Sequence, residues 1–339
     1  VKILCEQAHM QLPEMNFETE KTVEQKKKRD EMLKIMRSAA RFYLKNLNSG
    51  RADAHVQYIL DRKLSASTIR KFGLGASLNF GELPEYLLDS GFSRENILDS
   101  GAVIESEKKH RLVDAQGGRL IFPIINAMDD VIAFGGRVLE KTDFAKYKNT
   151  RETALFDKSK NLYNINLLKK EKKATGIRDI IMVEGYMDTI SLYQAGFTNV
   201  VASMGTSLTK DQARLCKRYT DNVYICYDGD GAGQKGAVRG LEIMRDEQIN
   251  VRVVPLPDGL DPDDVIKKYG NEGYQKCLDR AMPLIDFKLS LLSGQYDVNK
   301  TEEKRAYIAA ALKVIAEAES ASVKEDLLKI VRDKTGTTY

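Results

Sequence analysis

The chain has 339 residues, 42% of them apolar and 30% charged, with a formal net charge of +4. That length allows two or three domains around sizeable cores, and no run approaches the 18 apolar residues of a membrane helix, so no membrane partner is expected. Four scattered cysteines (Cys5, Cys216, Cys226, Cys277), no CxxC pair and only three histidines argue against a zinc site or a disulfide scaffold, and for a reducing, cytoplasmic setting. The start at Val1 has no secretory pattern and reads as part of a longer protein.

In chain order, residues 18–47 predict a helix, with Met32, Ile35, Met36, Ala39, Phe42 and Tyr43 recurring every three or four positions and Lys26 to Arg29 on its wet face. Residues 53–72 suggest two short helices, the second opened by Ser65 or Ser67, before Gly73, Gly75 and Gly81 break the pattern. Leu120 to Ile125 and Val131 to Phe134 flank a polar loop and predict a hairpin, followed by Gly135-Gly136-Arg137. Lys169 to Gly176 reads as a polar linker and a domain boundary. A regular alternation follows: strand 180–183, helix 188–195, strand 199–203, helix 209–219, strand 222–227, helix 232–247 and strand 251–256. Thr209 and Gln212 make a capping box for the second helix. Such βαβ units mean a mostly parallel sheet, hence an α/β fold within a chain that is α+β overall. A helix from Pro262 and a mostly helical tail from Pro283 complete the pattern.

Charge is unevenly placed. Residues 137–173 carry eleven Lys and Arg against five acids, whereas residues 257–264 carry four acids and no base. Three acidic clusters follow apolar strands: Glu184 with Asp188, Asp228 with Asp230, and Asp258, Asp261, Asp263 and Asp264. In parallel sheets, ligands sit beyond the carboxyl ends of the strands. Carboxylates meeting there would repel one another, and divalent cations relieve that repulsion.

Each cluster also has a plainer reading. Glu184 and Asp188 suit an i,i+4 pair facing one site or a helix cap, and Asp261-Pro262-Asp263 also reads as a helix entry. Asp228 to Gly233 also reads as a Gly-rich turn with two solvated Asp residues; it fails as an EF-hand, because Ala232 and Arg239 occupy ligand positions, and no Gly-Lys-Ser/Thr follows for a Walker loop. Gly205-Thr206 lies beyond another strand, either as a phosphate approach or as a simple turn, and Lys217 and Arg218 follow on the next helix. Tyr147, between Lys146 and Lys148, offers a ring for base stacking or for packing on the core.

The hydrophobic-Glu-Gly and Asp-x-Asp pattern resembles the Toprim domain. Glu184-Gly-Tyr-Met-Asp188, Tyr227-Asp-Gly-Asp-Gly-Ala-Gly233, Asp258-Gly-Leu-Asp-Pro-Asp263, Phe134-Gly-Gly-Arg-Val138 and Lys146-Tyr-Lys-Asn-Thr-Arg-Glu-Thr153 together resemble bacterial replicative primases of the DnaG type. Thr150 stands where that family's box has Ser, keeping the hydroxyl. The resemblance covers roughly residues 50–270. It implies a basic, nucleic-acid-binding N-terminal subdomain (1–175), a Toprim catalytic subdomain with helices flanking its sheet (176–270) and a helical C-terminal subdomain (271–339).

The implied activity is a DNA primase, a DNA-directed RNA polymerase making short RNA primers from nucleoside triphosphates on a single-stranded DNA template at the replication fork. Two or more Mg²⁺ or Mn²⁺ ions would be held by Glu184, Asp188, Asp228, Asp230, Asp261 and Asp263, with Glu184 a ligand or a general base. Nucleic acid or nucleotide would meet Arg137, Lys146, Tyr147, Lys148, Asn149 and, more remotely, Lys71 and Lys217. The family's zinc module and its C-terminal domain for the replicative helicase are both expected to be absent. A Toprim nuclease or topoisomerase, a primase-helicase and a non-catalytic binding module are the competing readings.

Overall fold

The computed structural model describes residues 20–106, 110–140, 145–205, 207–226, 231–257, 259–318 and 320–337; Asp228, Asp230, Asp258 and Thr206 lie outside them. Helix α1 (Glu20–Leu47) buries Met32, Ile35, Met36, Ala39 and Tyr43, the apolar stripe that its spacing demands. Two short helices follow, α2 (Asp53–Asp61) and α3 (Ala66–Phe72). Ser65 caps α3 by accepting from the Thr68 amide at 3.1 Å, and Gly73 ends it at φ +65°.

The N-terminal half is built on a four-stranded antiparallel sheet. Its order is β1 (Gly75–Ala76), β4 (Arg119–Ile125), β5 (Val131–Val138), β6 (Tyr147–Asn149), so the predicted hairpin is its centre. Helices α4 (Glu82–Asp89) and α5 (Arg94–Ser100) and the small hairpin of β2 (Val103–Glu105) and β3 (Leu112–Asp114) adjoin it. At the end of β3, the buried Asp114 carboxylate accepts from Tyr43 Oη at 2.8 Å, Ser77 Oγ at 2.6 Å and the Gln116 amide at 2.7 Å. Burial nevertheless pushes it up to about 6.

The alternating region forms the second sheet, in the order β11 (Met282–Pro283), β10 (Asn250–Val253), β9 (Asn222–Ile225), β7 (Ile180–Val183), β8 (Val200–Ala202). All its neighbours are parallel except the β10–β11 edge pair. The chain runs outward from β7 to β8, then returns to the other side of β7 as β9. That reversal is a switch point, where a crevice opens at the carboxyl ends. Between strands run α7 (Tyr186–Gln194), α8 (Lys210–Lys217) and α9 (Gly231–Asp246), and α8 carries the predicted Thr209–Gln212 capping box.

Two expectations change. Lys169 to Gly176 is no linker: Lys169–Thr175 form the second half of α6 (Ile165–Thr175), and Gly176 ends it. Lys and Glu are good helix formers, and Ile165 and Leu168 seat this helix in the cluster under the parallel sheet. Helix α7 also begins two residues earlier than expected, because the Asp188 carboxylate reaches back to the Gly185 amide at 3.1 Å. A single apolar cluster joins α1, the antiparallel sheet and Tyr186, Met187 and Val265 of the second half. Beyond β10 come α10 (Pro262–Asp279), kinked at Gly270, and three tail helices, α11 (Leu284–Gln295), α12 (Thr301–Ala316) and α13 (Ala321–Thr335). The tail packs its own core around Tyr307, Ala311, Leu327 and Val331.

Candidate active site

A cavity of about 470 Å³ opens where the antiparallel sheet faces the carboxyl edge of the parallel one. Glu184, at the end of β7, and Asp188, Asp261 and Asp263 line it. Asp261 is at once the predicted helix cap and a lining residue: its Oδ1 accepts from the Asp264 amide at 2.7 Å, with Pro262 at the first helical position. Burial, then the neighbouring Asp264 and Asp263 charges, raise its carboxyl above the usual range. Ligand oxygens of Asp261, Asp263 and Asp264 lie within 4.8 Å of one another. A cluster of half-desolvated carboxylates suits a hard cation. Asp263 differs from its neighbours. Its side chain is 2% exposed, Oδ1 accepts from Ser191 Oγ at 2.6 Å, and Oδ2 is paired with Arg62 and, at 2.5 Å, with Lys267.

The facing wall is basic and aromatic. Arg137 on β5 donates to Tyr147 Oη at 2.6 Å, and its guanidinium lies 4.6 Å from the Tyr58 ring and 5.2 Å from the Tyr147 ring. Arg62 covers the same Tyr58 ring at 5.2 Å. Lys158 also lines the cavity, where burial lowers its ammonium from the usual range. Lys146 stands exposed on the rim. The glycines of Phe134-Gly135-Gly136-Arg137 have a packing cause. A Cβ on Gly135 would come within 2.4 Å of the Tyr186 ring, and one on Gly136 within 2.2 Å of Gln116 Oε1. Tyr186 therefore fits flat over β5 and donates to Asn149 Oδ1 at 2.6 Å, while Asn149 Nδ2 donates to the Met204 carbonyl at 3.3 Å. Met204, in the left-handed region at φ +63°, precedes Gly205 at the cavity, and both follow β8.

Arg137, Lys146, Tyr147, Asn149, Glu184, Asp188, Asp261 and Asp263 are thus brought to one cavity. Tyr147 does so as a packed ring, 5.9 Å from Tyr186 and 6.2 Å from Phe122. Lys148 is not brought there: strand alternation turns it to the other face of β6, where Nζ donates to the Ala115 carbonyl at 3.0 Å. Lys217 is held away by Asp221 at 2.6 Å and the Gln248 carbonyl at 2.5 Å, and Lys71 lies 5.2 Å over the Tyr193 ring outside the cavity lining. Asp228 and Asp230 lie outside the described residues, although the adjoining strand pairs with β7, Cys226 donating to the Met182 carbonyl at 2.8 Å. Arg62, Tyr58, Lys158 and Ser191 were not among the expected site residues. Arg62 meets Asp263 from 201 positions away, and Asp61-Arg62-Lys63 reads locally as an ordinary helix end.

Comparison with known proteins agrees with this architecture. Residues 42–169 match the family model of the DNA primase catalytic core N-terminal domain, and residues 181–266 match a Toprim-like model. The DNA primase of Clostridium acetobutylicum is 37% identical over 313 residues, 92% of this chain and 51% of that protein. The chain thus spans about half the length of the curated relatives it matches. Among solved structures, a DnaG primase catalytic domain bound to single-stranded DNA is 32% identical with a TM-score of 0.75, covering 91% of this chain and 97% of that one. The RNA polymerase domain of Mycobacterium tuberculosis primase DnaG, in complex with a double-stranded DNA with a 6-nucleotide overhang, is 27% identical with a TM-score of 0.79, covering 91% and 98%.

One expectation is overturned. Residues 285–338 match the DnaB-helicase binding domain of primase, so a region of that kind is present in the tail helices instead of being missing. Helical periodicity alone gives no address for a partner, which is why the tail read only as a helical subdomain. Three family models in succession, and a solved catalytic domain matched over nearly its whole length, place the chain: it belongs to the family of DnaG primase catalytic domains.

Proposed function

We propose that this cavity joins ribonucleotides on a single-stranded DNA template to make short RNA primers. The observation carrying the reading is the meeting of an acidic sheet edge with a basic wall across one space of nucleotide size. In the reaction, a ribose 3′-hydroxyl attacks the α-phosphate of an incoming nucleoside triphosphate and pyrophosphate leaves. Glu184 and Asp261, joined by Asp228 and Asp230, would hold Mg²⁺ or Mn²⁺. The bound ions would supply charge stabilisation at the attacking and leaving oxygens. Glu184 stands at the mouth of β7, either as one of those ligands or as the acceptor of the hydroxyl proton. Asp188 keeps the turn before α7 closed and so fixes Glu184.

On the other wall, Arg62 and Arg137 face the cavity with guanidinium forks suited to phosphate oxygens, and Lys158 and Lys146 add positive charge. Tyr147 and Asn149 set the floor between the walls. The template strand would cross the exposed basic rim, so its affinity should fall steeply with salt. The replicative helicase would dock on the tail helices. No helix among the described residues is long and apolar enough to cross a membrane, and a site at the bacterial replication fork in the cytoplasm suits the reading.

Ribonucleotide incorporation on short single-stranded DNA, with Mg²⁺ or Mn²⁺, tests it. Template-dependent ribo-oligomers from the parent, lost in Asp228→Asn, support the reading. Metal-dependent nicking of the DNA without synthesis would replace it with a nuclease.

A further inference from the structure

Asp263 shares a cluster with Asp261, and proximity alone makes the two equivalent candidates for holding an ion. Their partners make them different. Asp261 spends one oxygen on the Asp264 amide at the head of α10 and still lines the cavity. Asp263 has both oxygens engaged, Oδ1 by the Ser191 hydroxyl and Oδ2 by two cations, Arg62 and Lys267. With 2% of its side chain exposed, it is already neutralised from within the protein. An ion arriving there would have to displace two charge-assisted bonds in a desolvated place, leaving an arginine or a lysine unpaired.

The same bonds fix Arg62 closely. Its guanidinium is held at one end by Asp263 and along its face by the Tyr58 ring, which sits one helical turn earlier on α2. The guanidinium of Arg137 lies 4.6 Å from the centre of the same ring. The loop bearing Arg62 is riveted beside this pair: the Ser65 amide donates to Gln194 Oε1 at 2.7 Å, and Gln194 Nε2 donates to the Lys63 carbonyl at 2.9 Å. A long, flexible side chain from the N-terminal half thereby becomes a fixed part of the cavity wall.

We infer that Asp263 is a positioning residue that anchors Arg62 as a phosphate-binding cation, and that it is not a metal ligand. The role rests on the nucleotidyl-transfer reading for the identity of the anion, and the tests use binding instead of turnover. Mn²⁺ affinity is measured by the loss of the free-ion paramagnetic resonance signal. Triphosphate affinity is measured with ATP and Ca²⁺.

Asp261→Asn weakens Mn²⁺ binding by at least about tenfold. Asp263→Asn leaves Mn²⁺ affinity within about threefold of the parent but weakens ATP by about tenfold, as Arg62→Ala does. The double variant is no weaker than either single one, because each removes the same unit. Asp263→Asn losing Mn²⁺ as Asp261→Asn does would overturn the assignment, and so would unchanged ATP affinity. Should Asp263→Asn fail to fold, Arg62→Ala still decides. If Asp263 were a metal ligand in competition with Arg62, that variant would bind Mn²⁺ at least about tenfold more tightly; the anchor role predicts a change under about threefold with ATP weakened. A parent whose Mn²⁺ affinity ignores Asp261→Asn would instead refute the metal reading of the cavity and leave the Asp263–Arg62 comparison intact.

Discussion

The two walls of the cavity are built in opposite ways. The acidic wall comes from segments that follow the parallel strands: Glu184 directly after β7, Asp188 in the first turn of α7, and Asp261 and Asp263 at the head of α10 after β10. The basic wall is gathered from the end of α2, the paired strands β5 and β6 and the turn at Lys158, segments far apart in the chain that meet at one cavity. Topology places the first; tertiary packing places the second. Substitutions on the acidic side should therefore act on chemistry with little change in stability, whereas those behind the basic wall should mix the two.

The largest effect is expected at the acidic edge. Glu184→Gln or Asp261→Asn should lower primer synthesis by about 10²–10³-fold while the thermal melt stays close to the parent. Near-normal synthesis by both would break the comparison. Behind the basic wall, Asp114 supplies a pH signature of fold and not of chemistry. Its carboxyl is raised to about 6, so its contribution to stability is fully present below the ordinary Asp range and is lost as pH rises through about 6. That loss is on the order of 3 kcal/mol, and unfolding free energies of the parent should show a decline between about pH 4 and pH 6 that Asp114→Asn lacks. Equal pH slopes in the two proteins would refute it.

Arg137→Ala should raise KM for nucleoside triphosphate by about 10- to 100-fold with a smaller change in kcat, read from initial rates. A fall in kcat alone would move Arg137 off the substrate. Gly135→Ala adds one methyl under the Tyr186 ring and should cost about 1–2 kcal/mol of stability, with activity reduced in step. Stability equal to the parent's would show that Tyr186 shifts freely. The smallest effect belongs to Lys148, which turns away from the cavity: Lys148→Ala should leave KM within about twofold.

The same contrast explains what was legible in the sequence. Strand 180–183 and the Thr209 capping box can be placed from local pattern, because buried parallel strands and helix caps are local devices. Glu184 and Asp261 follow from those strands. The contact of the Tyr58 ring with two guanidiniums does not, since α2 and β5 meet only after the antiparallel sheet has formed. Lys148 and Asn149 are indistinguishable as neighbours in a basic box, yet the period of β6 sends them to opposite faces. The polar run at Lys169 resembles a linker because its apolar anchors, Ile165 and Leu168, fall in the turn that precedes it. Asp263 shows the limit most sharply. One residue separates it from Asp261, and only the partners that packing supplies tell the two apart.

A crystal structure with Mn²⁺ and a non-hydrolysable nucleoside triphosphate, the ions located by anomalous scattering, would read the two walls at once. Mn²⁺ should appear against Glu184 and Asp261, with phosphate oxygens on Arg62 and Arg137 and Asp263 still paired with Arg62. Mn²⁺ bound away from Glu184 and Asp261, or a triphosphate seated outside this cavity, would contradict that arrangement.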